Sequence, residues 1–347
     1  MLQELKVGVG RFIVGTDAIE RLKSEMEYFG EKALIIGGPS SVDRVESKVD
    51  LKQMGIVYRH EGACSKRWAQ EYCRILKREQ CELVIGIGGG KCIDLAKCIA
   101  TYADCPIITV PTSVATCVAS SAVCIMYTDE GRADGSVAMN REVDVVVADT
   151  DLIRSAPKRL WGAGMVDSLA KLPEVIHNLK IKSYKDCDLN KYICFVNAKA
   201  IWEFILGEGC ALADEINASG RVEDMILTNL IHTSIVSGFS SGSGQLALAH
   251  GLYDFMRREF VEEARDILHG EIVGVGLIMQ MHYNGDDVCE IKRLTDFMKY
   301  FGMPATLEDI HFQDTAENRR KLIDYLKENT AIEDTDRLAA ALDKIGA

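Results

Sequence analysis

Five short β-rich runs within the first 150 residues constrain this chain most. They are Val7–Val14, Ala33–Ile36, Leu83–Ile87, Ile107–Val110 and Asp144–Val147, with charged amphipathic stretches such as Asp17–Tyr28 and Trp68–Arg78 between them. Apolar runs of four or five residues bounded by Gly or Pro read as strands buried on both faces. Their alternation with helical stretches predicts a parallel sheet wrapped by helices. After Pro157 the pattern changes. Helical periodicity fills Lys191–Leu206, Glu223–Ser237, Leu246–Arg258, Glu271–His282, Glu290–Tyr300 and Glu317–Asn329, and clear β-rich runs are missing. The expected organisation is an α/β domain over residues 1–156 and an all-α domain over 157–347, with the boundary near Ser155–Arg159.

The 347 residues carry a formal net charge of -12, with 48% hydrophobic and 27% charged side chains. Such a chain can bury a large core. Its acidity makes it a poor electrostatic match for DNA or an anionic membrane, so neither partner is expected. The longest apolar stretch, near Ile272–Met281, is too short for a bilayer span of about 20 residues. The start, MLQELKVGVG, has no basic region ahead of an apolar core, so no secretory signal is expected. Twelve cysteines run from Cys64 to Cys289 without a CxxC pair. In a chain of this length they are expected as reduced, mostly buried thiols in a cytoplasm.

The segment Glu82–Asp94, ELVIGIGGGKCID, runs from a buried strand through glycines into a helix. Glycines let a ligand approach the backbone, and the helix start offers unpaired N–H groups and a positive dipole end. A pyrophosphate suits that place, with Lys91 adding charge. The spacing fits neither GxGxxG nor the P-loop pattern, and a tight strand–helix turn is the plainer alternative. Asp94 stabilises the first helical turn or contacts a ligand. Two other motifs are set aside. Gly8, Gly10 and Gly15 open no helix. Gly238-Phe-Ser240-Ser-Gly242 spells GxSxG, but a helix precedes the serine where a nucleophile elbow needs a strand.

Asp167, His250 and His269 are candidate metal ligands. One carboxylate and two imidazoles suit Zn²⁺ or Fe²⁺ with positions left open for substrate. Spacing alone does not select them, because His60, His177, His232, His282 and His311 compete. A lone His among apolar residues is more often a satisfied core residue.

Taken together, GIGGGKCIDLAK, VPTSVATCVASSAVCIMYTDEG, AGMVDSLAK, FSSGSGQLALAHGL and LHGEIVGVGL resemble the iron-containing alcohol dehydrogenase superfamily, most of all its glycerol dehydrogenase branch. The segments stand in the family's order and cover most of Gly86–Leu277. The resemblance implies a Rossmann-like dinucleotide-binding domain followed by a helical metal-binding domain, the dehydroquinate synthase-like fold. It implies a cytoplasmic NAD-linked enzyme, with NADP as the alternative, one Zn or Fe ion and a small alcohol as substrate. A homo-oligomer is the expected assembly. By position, the metal ligands fall on Asp167, His250 and His269. The pyrophosphate site falls on Gly89, Gly90 and Lys91. Further nucleotide contacts fall on Thr112, Ala115, Ser121, Val123 and Tyr127, several through backbone atoms. No side chain beyond the metal site stands out as a catalytic base.

Two departures bear on the substrate and the cofactor. Where glycerol dehydrogenases carry an aspartate that binds the polyol, this chain has Cys117. A cysteine there resembles the hydroxycarboxylate dehydrogenases, which reduce 2-oxo acids. After the second strand, where many members place an acid for the adenosine ribose, this chain has Gly37-Gly38-Pro39. Glycerol-1-phosphate dehydrogenases and dehydroquinate synthase-type lyases share the fold. They need several basic side chains for phosphorylated substrates, and the motif segments offer few beyond Lys91, Lys97 and Lys171. A non-catalytic nucleotide-binding protein of this fold is a further alternative, and the intact Asp, His and His weigh against it.

Overall fold

A six-stranded, all-parallel sheet organises the N-terminal part of the chain. The computed structural model describes residues 5–181, 183–185, 187–214, 216, 221–240 and 246–346. Its strands are β1 (Val9–Gly15), β2 (Ala33–Gly37), β3 (Gly55–Arg59), β4 (Leu83–Gly88), β5 (Ile107–Pro111), β6 (Val123–Tyr127), β7 (Ala133–Ala138) and β8 (Val143–Asp149). The sheet runs β1-β8-β5-β4-β2-β3, while β6 and β7 form a separate antiparallel pair. Every side chain of Leu34–Ile36 and Val84–Ile85 is inaccessible to solvent, as expected for strands covered on both faces.

Helices α1 (Leu22–Met26), α2 (Pro39–Glu46), α3 (Lys66–Arg78) and α4 (Gly90–Ala103) cross between strands, and α5 (Thr150–Arg154) follows β8. Ser65 caps α3 by accepting the Trp68 N–H, and Lys77 and Arg78 lie at its negative dipole end. Gly86 lets α4 press onto β4: a Cβ there would lie 2.6 Å from the Ala96 Cβ. In the sheet register Gly37 faces Ile87 and Gly88 faces Pro111. The carboxyl ends of β2, β4 and β5 are therefore level at one edge. β2 leads outward to β3 and β4 leads the other way to β5, so the strand order reverses between them. Open parallel sheets bind ligands at such a reversal.

The chain divides into two compact units, Met1–Ala156 with Ile216–Ser234, and Pro157–Glu215 with Ile235–Ala347. Residues 157–347 are thus not one contiguous body. The segment that joins the first unit contains α9 (Val222–Leu227) and one π-helical turn, Thr228–His232; α10 (Thr233–Phe239) follows. The reason is polar. Asn229 donates to the Val114 carbonyl at 3.3 Å, and the Ser120 hydroxyl bonds the Leu230 carbonyl at 2.6 Å and the Ser234 hydroxyl at 2.7 Å.

The second unit holds α6 (Lys158–Leu169), α7 (Lys171–Leu179), α8 (Leu189–Asp214), α11 (Leu248–Glu259), α12 (His269–Asn284), α13 (Val288–Tyr300), α14 (Ala316–Asn329) and α15 (Thr335–Asp343). α12 is its axis, buried almost continuously from Gly270 to Met281 and packed on α6, α11, α13 and α15. Two glycines permit the contact. A Cβ on Gly270 would lie 1.9 Å from the Ala163 carbonyl oxygen of α6. One on Gly276 would lie 2.7 Å from that of Ala249, at the start of α11. No helix among the described residues is long and apolar enough to cross a membrane.

Candidate metal centre and nucleotide loop

Three helices bring the candidate ligands together. Asp167 stands near the end of α6, His250 in the first turn of α11, and His269 opens α12. The Gly270 contact presses the start of α12 onto α6, which sets His269 opposite Asp167. Asp167 Oδ1 lies 3.2 Å from His250 Nε2 and 3.2 Å from His269 Nε2. The three ligand atoms all fall within 4.8 Å of one another. Among the described residues, none of the other histidines joins such a group. His60 is instead buried against Trp68 and Tyr72, and His177 bonds the Ala331 carbonyl at 3.1 Å.

Glu174, which sequence reasoning did not single out, supports this set. Its side chain is fully buried. One oxygen accepts the His250 Nδ1–H at 2.7 Å; the other accepts the backbone N–H groups of His250 at 3.0 Å and Ala247 at 3.3 Å. The carboxylate thereby caps α11 at its positive dipole end. It also fixes the imidazole orientation, so that Nε2 is aimed at the Asp167 oxygen 3.2 Å away. Without metal an Nε2–H bridges that gap; once the proton is lost, a cation takes its place between the freed lone pair and the carboxylate. The donor set and its orientation fit a divalent metal such as Zn or Fe.

The electrostatics agree. Burial opposes charge on Asp167, but His269 and His250 beside it hold its carboxyl well below the usual carboxylate range. Burial likewise opposes an imidazolium at His250, yet Glu174 and Asp167 outweigh it and its pKa rises to about 9. Arg159 and Glu271 brace the centre from outside. Arg159 Nη2 reaches Glu271 Oε2 at 2.6 Å, and the same carboxylate accepts the Leu268 N–H at 2.8 Å just before His269. The Tyr253 ring packs edge-on against His269, with centroids 4.2 Å apart.

In the first unit, Gly89 caps α4 and Gly90 is its first residue. Neither glycine is required by internal packing. A Cβ on Gly89 would meet only the Ser113 Oγ at 3.7 Å, and one on Gly90 only the Thr116 Oγ1 at 3.9 Å. The space over these backbone amides is open, which suits a pyrophosphate at a helix start. Lys91 beside them is exposed. Gly88, with φ of +133°, serves the turn itself.

Thr112 is buried, donates its backbone N–H to the Gly88 carbonyl at 3.1 Å and bonds the Ser41 hydroxyl at 3.0 Å. Ala115, Cys117, Ser121, Val123 and Tyr127 are half-buried along the following loop and β6. Asp94 has a partner within the protein. It is buried beside Lys97, 3.0 Å from its ammonium group. Lys97 in turn donates to the carbonyls of Ser121 at 3.1 Å and Val123 at 2.5 Å. Burial works against its charge, but Asp94 outweighs that and its pKa is raised. This pair clamps the far end of the loop that Asn229 and Ser120 hold from the other side. Ser240 of the GxSxG motif donates to the Ser237 carbonyl at the end of α10. Gly242 of that motif lies outside the described residues.

Residues 10–150 match the family model for the iron-containing alcohol dehydrogenases. A glycerol dehydrogenase of Escherichia coli is 27% identical over 328 residues, covering 90% of this chain and 86% of its own. One from Thermotoga maritima is 27% identical over 318 residues, covering 87% and 83%. Among solved structures, a probable glycerol dehydrogenase from Sinorhizobium meliloti superposes with a TM-score of 0.85 at 20% identity, over 99% of this chain and 98% of that one.

Proposed function

The chain belongs to the iron-containing alcohol dehydrogenase superfamily, in its glycerol dehydrogenase-like branch, and from that premise we propose how its residues carry the activity. It is a metal-dependent, nicotinamide-linked oxidoreductase acting on the CH–OH group of a small polyol or secondary alcohol. The convergence of Asp167 Oδ1 with the Nε2 atoms of His250 and His269 carries the reading.

In this proposal those three residues hold a Zn or Fe ion, and Glu174 keeps the His250 lone pair directed at it. The backbone amides of Gly89 and Gly90, with Lys91, receive the pyrophosphate. Thr112, Ala115, Ser121, Val123 and Tyr127 hold the rest of the nucleotide, which is NAD. The first unit is thus the dinucleotide-binding one and the second the metal-binding one. When bound, a divalent cation supplies Lewis acidity toward the alcohol oxygen and the nicotinamide supplies the hydride acceptor. The reaction removes a hydride from the carbinol carbon and a proton from its hydroxyl, leaving a carbonyl. The twelve cysteines are thiols rather than disulfides, which accords with the proposed cytoplasmic location. A homo-oligomer is proposed as well.

A second reading, reduction of 2-oxo acids, is favoured by Cys117, which puts a neutral thiol where glycerol dehydrogenases carry a carboxylate. Metal analysis of the purified protein tests the whole assignment, together with reduction of NAD and of NADP by glycerol, 1,2-propanediol and 2-hydroxybutanoate. Stoichiometric Zn or Fe and turnover of one of these alcohols supports it. A protein that binds no metal and reduces neither dinucleotide overturns it.

A further inference from the structure

His269 has the least helix behind it of the three candidate ligands. It is the first residue of α12, delivered by the irregular connector 260–268 that follows α11. Two arginines take carbonyls of that connector. Arg257, two turns beyond His250 on α11, donates from Nη1 to the Ala264 carbonyl at 2.8 Å and from Nη2 to the Ile267 carbonyl at 2.6 Å. Arg159, two turns ahead of Asp167 on α6, donates from Nη2 to the Asp266 carbonyl at 2.9 Å. It also grips Glu271 through Nε at 2.5 Å and Nη2 at 2.6 Å. The connector is thus fastened on one side to the helix of His250 and on the other to the helix of Asp167.

Both arginines also reach His269 by shorter routes. The Arg257 guanidinium lies 5.5 Å from the Tyr253 ring centroid, a cation–π distance, and that ring abuts the His269 imidazole with centroids 4.2 Å apart. Glu271, held by Arg159, accepts the N–H of Leu268, the residue before His269, at 2.8 Å. The bonds to Ala264, Asp266 and Ile267 all go to backbone carbonyls, so what they fix is chain position. A guanidinium presents its donors in a rigid fork, which holds the Ala264 and Ile267 carbonyls at a set spacing. A loose connector would have to be ordered each time metal binds, and that ordering would weaken binding. A fastened one removes the cost and keeps His269 from swinging away.

We propose that Arg257 and Arg159 are positioning residues that hold the 260–268 connector in place before metal binds, so that His269 already faces Asp167 and His250 when the ion arrives. This rests on the reading of Asp167, His250 and His269 as a metal site. The two arginines touch neither the ion nor the substrate; they act through the connector, Glu271 and Tyr253.

The test follows metal and connector rather than turnover. The Ala264, Arg265 and Ile267 amides are hydrogen-bonded within the connector. In metal-stripped wild type, hydrogen exchange should find them protected, with little further slowing on adding Zn²⁺. Amides that exchange freely until Zn²⁺ is added overturn the proposal, because the metal and not the arginines would then order the connector. Arg257→Met and Arg159→Met should each release Zn²⁺ to excess chelator about 10–100-fold faster than wild type and alter the visible spectrum of the Co²⁺-loaded protein. Arg257→Lys, whose ammonium can keep one carbonyl bond, recovers part of the retention. Release at the wild-type rate in both Met variants overturns the proposal. So does metal retention that falls only in step with the melting temperature, which would make the arginines general stabilisers. Should a Met variant not fold, the exchange experiment on wild type decides alone. A wild type that takes up neither Zn²⁺ nor Fe²⁺ defeats the metal-site reading; one that holds its ion no more firmly than the Met variants defeats this inference alone.

Discussion

Glu174 holds His250 at both ends, taking the ring Nδ1–H at 2.7 Å on one oxygen and the backbone N–H at 3.0 Å on the other. Ring orientation and helix start are therefore set by a single carboxylate. Glu174→Gln keeps the shape, but its amide can donate to Nδ1 and turn the lone pair away from the centre. Metal affinity is expected to fall about 10–100-fold, as for other partners of metal-bound histidines. Equilibrium dialysis against a competing chelator measures it, and wild-type affinity in the variant would count against the role given to Glu174.

Metal uptake should depend on pH in a defined direction. The His250 pKa is about 9 in the metal-free centre, so at pH 7 the ring is an imidazolium and must lose a proton to bind metal. Apparent affinity therefore rises with pH, about tenfold per unit below pH 9, and flattens above it. A pH indicator in weakly buffered solution should report proton release on adding Zn²⁺ at pH 7. Uptake without release, and an affinity flat from pH 6.5 to 8.5, contradicts this.

Gly89→Val separates ligand binding from folding. The Gly89 torsions, φ −94° and ψ −169°, are open to any residue, and its Cβ would meet nothing closer than 3.7 Å. Thermal stability should change by less than about 1 kcal/mol. Dinucleotide affinity, read by calorimetry, should fall at least about tenfold because branched methyl groups occupy the pyrophosphate's place. Retained affinity would make this loop a turn and nothing more.

Lys97→Met should be strongly destabilising. It leaves Asp94 buried without its partner, a loss of about 3–5 kcal/mol. Adding Asp94→Leu restores most of the stability but not the tether to Ser121 and Val123, so dinucleotide affinity stays low in the double variant. Urea titration and calorimetry on the same samples check both halves. A Lys97→Met protein as stable as wild type refutes the clamp.

Cys117→Asp restores the carboxylate of the glycerol dehydrogenases. Charged hydrogen bonds to polyol hydroxyls are each worth about 1.5–3 kcal/mol, or roughly ten- to a hundredfold. Relative kcat/KM for glycerol and 1,2-propanediol should rise by that order and fall for 2-oxobutanoate. Ratios that barely move would mean that Cys117 only packs.

The two architectures were legible in the sequence because they differ in period. Leu83–Ile87 is apolar at every position between its glycines, whereas Leu246–Arg258 repeats like a helix. The strand at Gly55–Arg59 escaped because it lies at the sheet edge and is only half-buried, so Tyr58 and Arg59 break any apolar run. β7, ADGSVA, is largely exposed and has no buried face to leave a pattern. Asp167, His250 and His269 stood out as residue types suited to metal, but sequence separations of 83 and 19 hide their meeting until the fold is known. Glu174 was missed although its cue was there, seven residues after Asp167 on a continuous helix. Gly270 and Gly276 were likewise quoted within a motif but not read as contact points for neighbouring backbones. No local signal marks Asn229, whose partner Val114 is 115 residues away.

The affiliation of Ile216–Ser234 with the first unit has a practical consequence for dissecting the molecule. A fragment stopped at residue 156 would strip Asn229, Leu230 and Ser234 from the Val114–Ser120 stretch and leave the Val114 carbonyl and Ser120 hydroxyl without these partners. The first compact unit is therefore discontinuous along the chain. It can be expressed only by splicing residues 216–234 onto residue 156 through a designed linker, or by supplying that helical piece in trans as a complementing peptide.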